Sequence, residues 1–145
     1  MISLVFKGPS MTSKAVGAVI FDGAGRVLLV QRGRAPLLGT WALPGGRVQS
    51  GETVNEAIER EVLEETRLEV CAKERIDTVA LEAEGFSYEI EEFLCVMTRT
   101  SDPAIAGDDA RGVRWATREE LEGLGVTEVA RGVIERARRA AHAGR

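Results

Sequence analysis

The chain has 145 residues, a formal net charge of −4, 44% hydrophobic residues and 29% charged residues. One domain with an ordinary apolar core fits these figures, and they exclude a disordered, collagen-like or membrane-embedded chain. The two cysteines, Cys71 and Cys95, are too few for a disulfide scaffold, and 5% aromatic residues leave little for a single-strand nucleic-acid platform of stacked rings.

The net charge conceals an asymmetry. Between Glu52 and Glu92 lie 14 acidic and 4 basic residues, a local balance of −10, while the remainder of the chain carries +6. An acidic middle of this kind repels phosphates unless a cation stands between.

The N-terminal run Met1-Ile2-Ser3-Leu4-Val5-Phe6-Lys7 lacks the basic flank and long apolar stretch of a secretory signal. No apolar run approaches the roughly 20 residues that span a bilayer. A cytoplasmic protein with reduced thiols is the expectation. Residues 1–14 read as an N-terminal extension and residues 15–145 as a single domain.

In chain order, Ala15–Phe21 is apolar and β-branched, Asp22-Gly23 with Gly25 marks a turn, and Val27–Gln31 continues as a second strand, so the pair predicts a hairpin. Arg32–Trp41 holds Gly33, Pro36 and Gly39 and reads as a loop, and Pro44-Gly45-Gly46 as a sharp backbone feature. Thr53 to Arg67 predicts a helix. Thr53 and Glu56 fit a capping box, and Val54, Ala57, Ile58 and Val62 recur at helical spacing. Leu68–Cys71, Ile76–Leu81 and Tyr88–Thr98 read as strands. In the last, Phe93, Cys95 and Met97 alternate with Leu94 and Val96, a pattern for a strand covered on both faces. Gly107-Asp108-Asp109 is a loop and Val113–Trp115 a short strand, and Thr117-Arg118-Glu119-Glu120 opens a short capped helix. Thr127 to Ala141 is a final helix, with Val129, Val133, Ile134 and Ala137 on one face and Arg136, Arg138 and Arg139 toward the negative end of its dipole. The fold class is α/β (α+β), a mixed β-sheet sandwiched between helices.

The chemistry concentrates in the helix from Thr53, which carries Glu56, Glu59, Glu61, Glu64 and Glu65. Glu61 shares a face with Glu64 and Glu65. They sit late in the helix, where the dipole disfavours negative charge. A solvated acidic face explains many Glu-rich helices. Here a glycine-rich turn ahead of the helix lets a backbone carbonyl approach, and clustered carboxylates with a backbone oxygen make a site for a hard divalent cation, Mg2+ or Mn2+.

The stretch Gly46, five residues, Glu52, seven residues, then Arg60-Glu61-Val62-Leu63-Glu64-Glu65-Thr66-Arg67-Leu68 resembles the Nudix box. It matches every defined position except one, where Arg67 stands in place of the family's glycine. The approach Trp41-Ala42-Leu43-Pro44-Gly45-Gly46 is similar to that of the family. Ala106-Gly107-Asp108-Asp109-Ala110, with Arg114-Trp115 and Glu119-Glu120-Leu121, resembles the tail of the small ADP-ribose pyrophosphatase-like subgroup. The resemblance covers residues 16–124 and implies the MutT-like Nudix fold. It also implies hydrolysis of a nucleoside diphosphate linked to another moiety. It makes Glu61, Glu64 and Glu65 the metal-binding and catalytic carboxylates, the Gly45 carbonyl a backbone ligand, and Glu52–Arg60 a supporting ion pair. The glutamate that serves as base varies across the family. A further acid outside the box often completes the site; Asp109, or its neighbour Asp108, is the candidate, against a plain Gly-Asp turn. At Arg67 the family glycine reads as a left-handed helix cap. Arginine there either adopts that conformation at a cost of about 1 kcal/mol or lets the helix run on.

Arg32 and Arg34 have two readings, as holders of a substrate phosphate or as a solvated loop. Trp41, Phe86 and Tyr88 could stack on a base, with burial beside the box the stronger reading for Trp41. His142 reads as solvated, and Cys71 and Cys95 as buried thiols. Gly23-Ala24-Gly25 lacks the third glycine and following helix of a dinucleotide fingerprint. The expected substrate is ADP-ribose or a related nucleotide sugar, cleaved to AMP and a sugar phosphate. The alternatives are a MutT-like pyrophosphatase of (oxidised) nucleoside triphosphates and a non-catalytic nucleotide-sensing module. Neither nucleic acid nor membrane is an expected partner. The resemblance allows a homodimer without any sequence feature requiring one.

Overall fold

The computed structural model describes residues 12–99, 104–107 and 110–144. The strands are β1 Ser13–Ile20, β2 Val27–Arg32, β3 Trp41–Ala42, β4 Gly45–Arg47, β5 Val70–Ala83, β6 Phe86–Met97 and β7 Ala110–Ala116. The α-helices are α1 Val54–Thr66 and α2 Glu128–Ala143, with a 3-10 turn at Arg118–Glu120. The strands form two sheets rather than one: a four-stranded sheet in the order β4-β1-β6-β5 and a three-stranded sheet in the order β3-β2-β7. The first is mixed, as expected, with β1 parallel to β6 and antiparallel to β4.

The hairpin expected of the first two strands does not form. Its turn is present, with Asp22 Oδ1 accepting from the N–H groups of Ala24 and Arg26 at 3.0 and 2.8 Å. Beyond the single bridge Phe21–Val27, however, β1 and β2 part into different sheets. The reason lies in their composition. Val19, Ile20, Val27, Leu28 and Leu29 are all fully buried, so neither strand has a solvent face, and each takes two other partners as a central strand.

The two strands expected at 68–71 and 76–81 are one. The polar stretch Lys73-Glu74-Arg75 stays in β5, which pairs with β6 through register shifts between Ala72 and Glu74 and between Arg75 and Asp77. Such bulges bend a long strand without ending it. The β5–β6 turn is Glu84-Gly85, both at positive φ, the geometry of a tight hairpin turn.

Two apolar cores flank the mixed sheet. On one face α1 buries Ala57, Ile58 and Val62 against Val16, Ala18, Ile20 and Cys95. Toward the other sheet, Val19, Leu29 and Leu94 pack with Val133, Ile134 and Ala137 of α2. Burial raises the Cys95 thiol to about 12, which keeps it protonated; Cys71 is half-buried. The last helix departs from expectation at one residue. Val129 is 57% exposed, because it lies in the first turn before α2 reaches the core. The arginines also do more than oppose the dipole: Arg138 lies 4.7 Å above the Phe21 ring and donates to Gly25 O at 2.7 Å, and Arg136 is paired with Asp77 of β5. No described helix is long and apolar enough to cross a membrane.

Candidate active site

The site is assembled where α1 meets the β4 edge of the mixed sheet. Thr53 caps α1: its hydroxyl accepts from Glu56 N at 3.1 Å, and the Glu56 carboxylate accepts from Thr53 N at 2.9 Å, the reciprocal pair expected of the sequence. At the other end Arg67 takes the left-handed cap itself, with φ 65° and its N–H bonded to Leu63 O. The helix therefore stops directly after the last box glutamates, and the substituted arginine carries the strain.

Arg60 is the hub. Its guanidinium donates to both oxygens of Glu52, through Nε to Oε2 and through Nη2 to Oε1 at 3.0 Å. Nη2 also reaches Arg47 O at 3.0 Å, and Nη1 reaches Glu61 Oε2 at 3.1 Å and Glu64 Oε1 at 3.2 Å. One planar cation thus ties the box loop, β4 and two glutamates of α1 together, a role suited to the fixed donor fork of arginine. The Arg60 hydrogen bond, aided by Gln49 N–H, holds the Glu52 carboxyl below its ordinary range. The expected Glu52–Arg60 support is therefore in place.

The carboxylates divide by position. Glu61 reaches over Gly46, where a β-carbon would overlap its carboxylate. Glu65 accepts from Gly45 N at 2.9 Å. Both line a cleft of about 990 Å3 that runs inward between the two sheets. Glu64 is 53% exposed and stands outside that cleft on the Arg60 side. Among the described residues no three His, Cys, Asp or Glu side chains close on one point as they stand, because Arg60 draws Glu61 and Glu64 one way and the Gly45 N–H draws Glu65 another. The donor set is nevertheless all oxygen and anionic, gathered on one turn of helix beside a glycine pair, which fits a hard divalent cation.

The remaining expected residues are placed unequally. Arg32 and Arg34 both line the cleft. Arg32 is engaged with its own loop, donating to Pro36 O at 2.5 Å and Ala35 O at 3.4 Å. Asp109 and Asp108 lie outside the described residues. The segment before them is seated on the end of α1, with Ile105 N bonded to Thr66 O at 2.9 Å and Gly107 N to Glu65 O at 2.8 Å. Trp41 is half-buried on β3 and faces the cleft, as do Phe86 and Tyr88, whose rings stack on each other at 6.0 Å. His142 is exposed.

One cleft residue had no assigned role from the sequence. Glu92 is only 7% exposed, and its Oε1 has no hydrogen-bond partner among the described residues. Desolvation, with a smaller contribution from the neighbouring Asp77 carboxylate, pushes it up to about 7. A sequence signal for it existed. Tyr88, Ile90, Glu92 and Leu94 alternate along one face of β6, and a lone acid in an apolar face stands out because carboxylates are almost never buried unless paired.

A helix with three box glutamates, an arginine hub and a glycine-lined cleft is the arrangement that a Nudix hydrolase presents, and the comparisons agree. The family model of the NUDIX domain matches residues 11–137. A Bacillus subtilis (strain 168) protein provisionally named 8-oxo-dGTP diphosphatase is 31% identical over 112 residues, covering 77% of this chain and 70% of its own. An ADP-ribose pyrophosphatase of Methanocaldococcus jannaschii is 34% identical over 111 residues, covering 74% of this chain and 66% of its own. The crystal structure of a MutT NUDIX hydrolase from Burkholderia pseudomallei superposes with a TM-score of 0.72 at 26% identity, covering 88% of this chain and 98% of that one. Other curated relatives are much longer, and the chain spans 26% or less of three of them. The chain belongs to the Nudix family, as a MutT-like Nudix hydrolase.

Proposed function

We propose that the protein hydrolyses the phosphoanhydride of a nucleoside diphosphate linked to another moiety. The substrate we favour is ADP-ribose or a related nucleotide sugar, giving AMP and a sugar phosphate. The observation that carries the reading is the placing of Glu61 over Gly46, held by the Arg60–Glu52 pair, beside Glu65 on the Gly45 N–H, both carboxylates lining the inter-sheet cleft. Glu61, Glu64, Glu65 and the Gly45 carbonyl would hold Mg2+ or Mn2+, with Asp109 as a further acid. Bound there, the cation supplies charge neutralisation at the pyrophosphate and a water of lowered pKa. The chain's own residues do the rest. A box carboxylate takes the proton of the attacking water, a contribution of about 10²–10⁴ in rate. Arg60 fixes two of the three carboxylates, so that their positions are set before substrate arrives. Arg34 and Arg32 face the cleft, where their charge favours the phosphates.

A second reading, a pyrophosphatase of (oxidised) nucleoside triphosphates, is favoured by the Bacillus relative's provisional name and by the apolar slot beyond the glycines, which suits a flat base. One panel separates the two: ADP-ribose, dinucleotides and nucleoside triphosphates, assayed with Mg2+ and with Mn2+, on the parent and on Glu65→Gln. Turnover by the parent, lost by about 10² or more in the variant, is the expected result. If neither protein turns over any compound while one of them still binds, the chain is a sensor and the enzymatic reading fails.

A further inference from the structure

The register of the mixed sheet places Glu92 away from the box carboxylates. Gly17 of β1 pairs with Gly45 on one side and with Glu92 on the other, and Val16 pairs with Gly46. Residues paired across neighbouring strands share a face, and successive residues alternate. Val16, Ala18 and Gly46 therefore belong to the face that carries α1, where Glu61 lies over Gly46. Gly17 and Glu92 belong to the opposite face, with Tyr88 and Ile90 of β6 and Val79 and Leu81 of β5. The thickness of the sheet separates Glu92 from Glu61. One step further along β6, Leu94 is already in the core beneath α2. Glu92 thus stands at the floor of the cleft, where it closes.

The side chain is accommodated by a specific absence. It lies over Gly17, where any β-carbon would overlap Oε1. The same cleft is lined by apolar and aromatic side chains of both sheets, among them Tyr88 and Ile90 of β6, Trp41 of β3 and, just after it, Leu43. A slot with flat apolar walls and one polar floor group matches a heteroaromatic ring, whose faces are apolar and whose edge is polar. A sugar, with hydroxyls on every side, would leave several of them unpaired against those walls.

We infer that Glu92 is the specificity-determining residue of this cleft: its unpartnered oxygen accepts a hydrogen bond from an N–H on the edge of the substrate's nucleobase, seated edge-first in the slot with its phosphates toward Gly45 and Gly46. The assignment deepens the proposed function and rests on it. Bases offering an amino or ring N–H at that edge are retained, and analogues lacking it are rejected, because they leave a buried acceptor unpaired.

The test is calorimetric binding of AMP, GMP, IMP, CMP, UMP and purine riboside monophosphate, whose base has no N–H, all of which carry no anhydride to cleave, to the parent, Glu92→Leu and Glu92→Gln. The parent should prefer one base by about tenfold or more. Glu92→Leu should abolish that preference. Glu92→Gln, which keeps the shape and so decides the matter if the leucine variant fails to fold, should reorder it by adding an N–H donor. Equal preferences in parent and variants, or no preference in the parent, overturn the inference. The hydrolysis panel runs alongside. Glu92-dependent binding without turnover sinks the enzymatic reading alone. Turnover whose kcat and KM for each base ignore the Glu92 substitutions sinks this inference alone. Neither turnover nor binding sinks both.

Discussion

Glu92 makes stability depend on pH in a direction opposite to that of ordinary paired carboxylates. In the unfolded chain the group titrates near 4.5; in the folded chain burial holds it at about 7. Below pH 4.5 both states are protonated and the group costs nothing. Between 4.5 and 7 the folded state binds the extra proton, so stability falls as pH rises, and above 7 the full cost is present. At about 1.4 kcal/mol per pH unit the drop amounts to about 3 kcal/mol. Urea melts in EDTA at pH 4.5, 6, 7 and 8 on the parent and on Glu92→Gln isolate it, because every other titrating group is common to both. The variant should gain on the parent by about 3 kcal/mol across the series, or about 1.5 M in midpoint at an m-value near 2 kcal/mol/M. Asp77, paired in register with Glu92 and bound by Arg136, supplies part of the effect, so Asp77→Asn should shrink the drop without removing it. A difference between parent and Glu92→Gln that stays within about 0.5 kcal/mol from pH 4.5 to 8 would refute the reasoning.

Three further outcomes are expected. Gly46→Ala places a methyl where the Glu61 carboxylate lies and should lower kcat about 100-fold while the melting temperature stays within a few degrees, measured by steady-state kinetics beside a thermal melt; unchanged kcat would remove Glu61 from the chemistry. Arg67→Gly relieves a left-handed cap at φ 65° and should raise stability by about 0.5–1 kcal/mol with turnover kept, so a lower melting temperature argues against the cap assignment. EDTA should abolish turnover and either Mg2+ or Mn2+ restore it, whereas activity that survives exhaustive chelation would end the metal-dependent reading.

The sequence exposed the box and concealed the slot for one physical reason. Under the proposed function, carboxylates that hold a metal must be several, charged and fixed on one helix, so Glu61, Glu64, Glu65 and their Arg60–Glu52 brace form a long pattern at fixed spacing. The capping residues Thr53 and Glu56 were legible for the same local reason, while at Arg67 the sequence left a left-handed cap and a longer helix both open. Pairing between strands is not local. The two fully buried strands β1 and β2 look like a hairpin until sheet membership is known, and the pairing of Gly17 with Glu92 joins residues 75 positions apart. Glu92 was one of five acids between Glu82 and Glu92 without a role, and Glu91 beside it belongs to the other face of β6 and is ion-paired with Arg75. Alternation along β6 sets the two on opposite faces, and the register adds that the Glu92 face meets Gly17. The division also has chemical sense. Hydrolysis of the anhydride needs the same charges whatever the base, so its residues sit on the α1 face and form a fixed motif. Choice of base, as inferred above, needs a single group on the far face of the same sheet, where Gly17 leaves it room, and one residue makes no spaced motif.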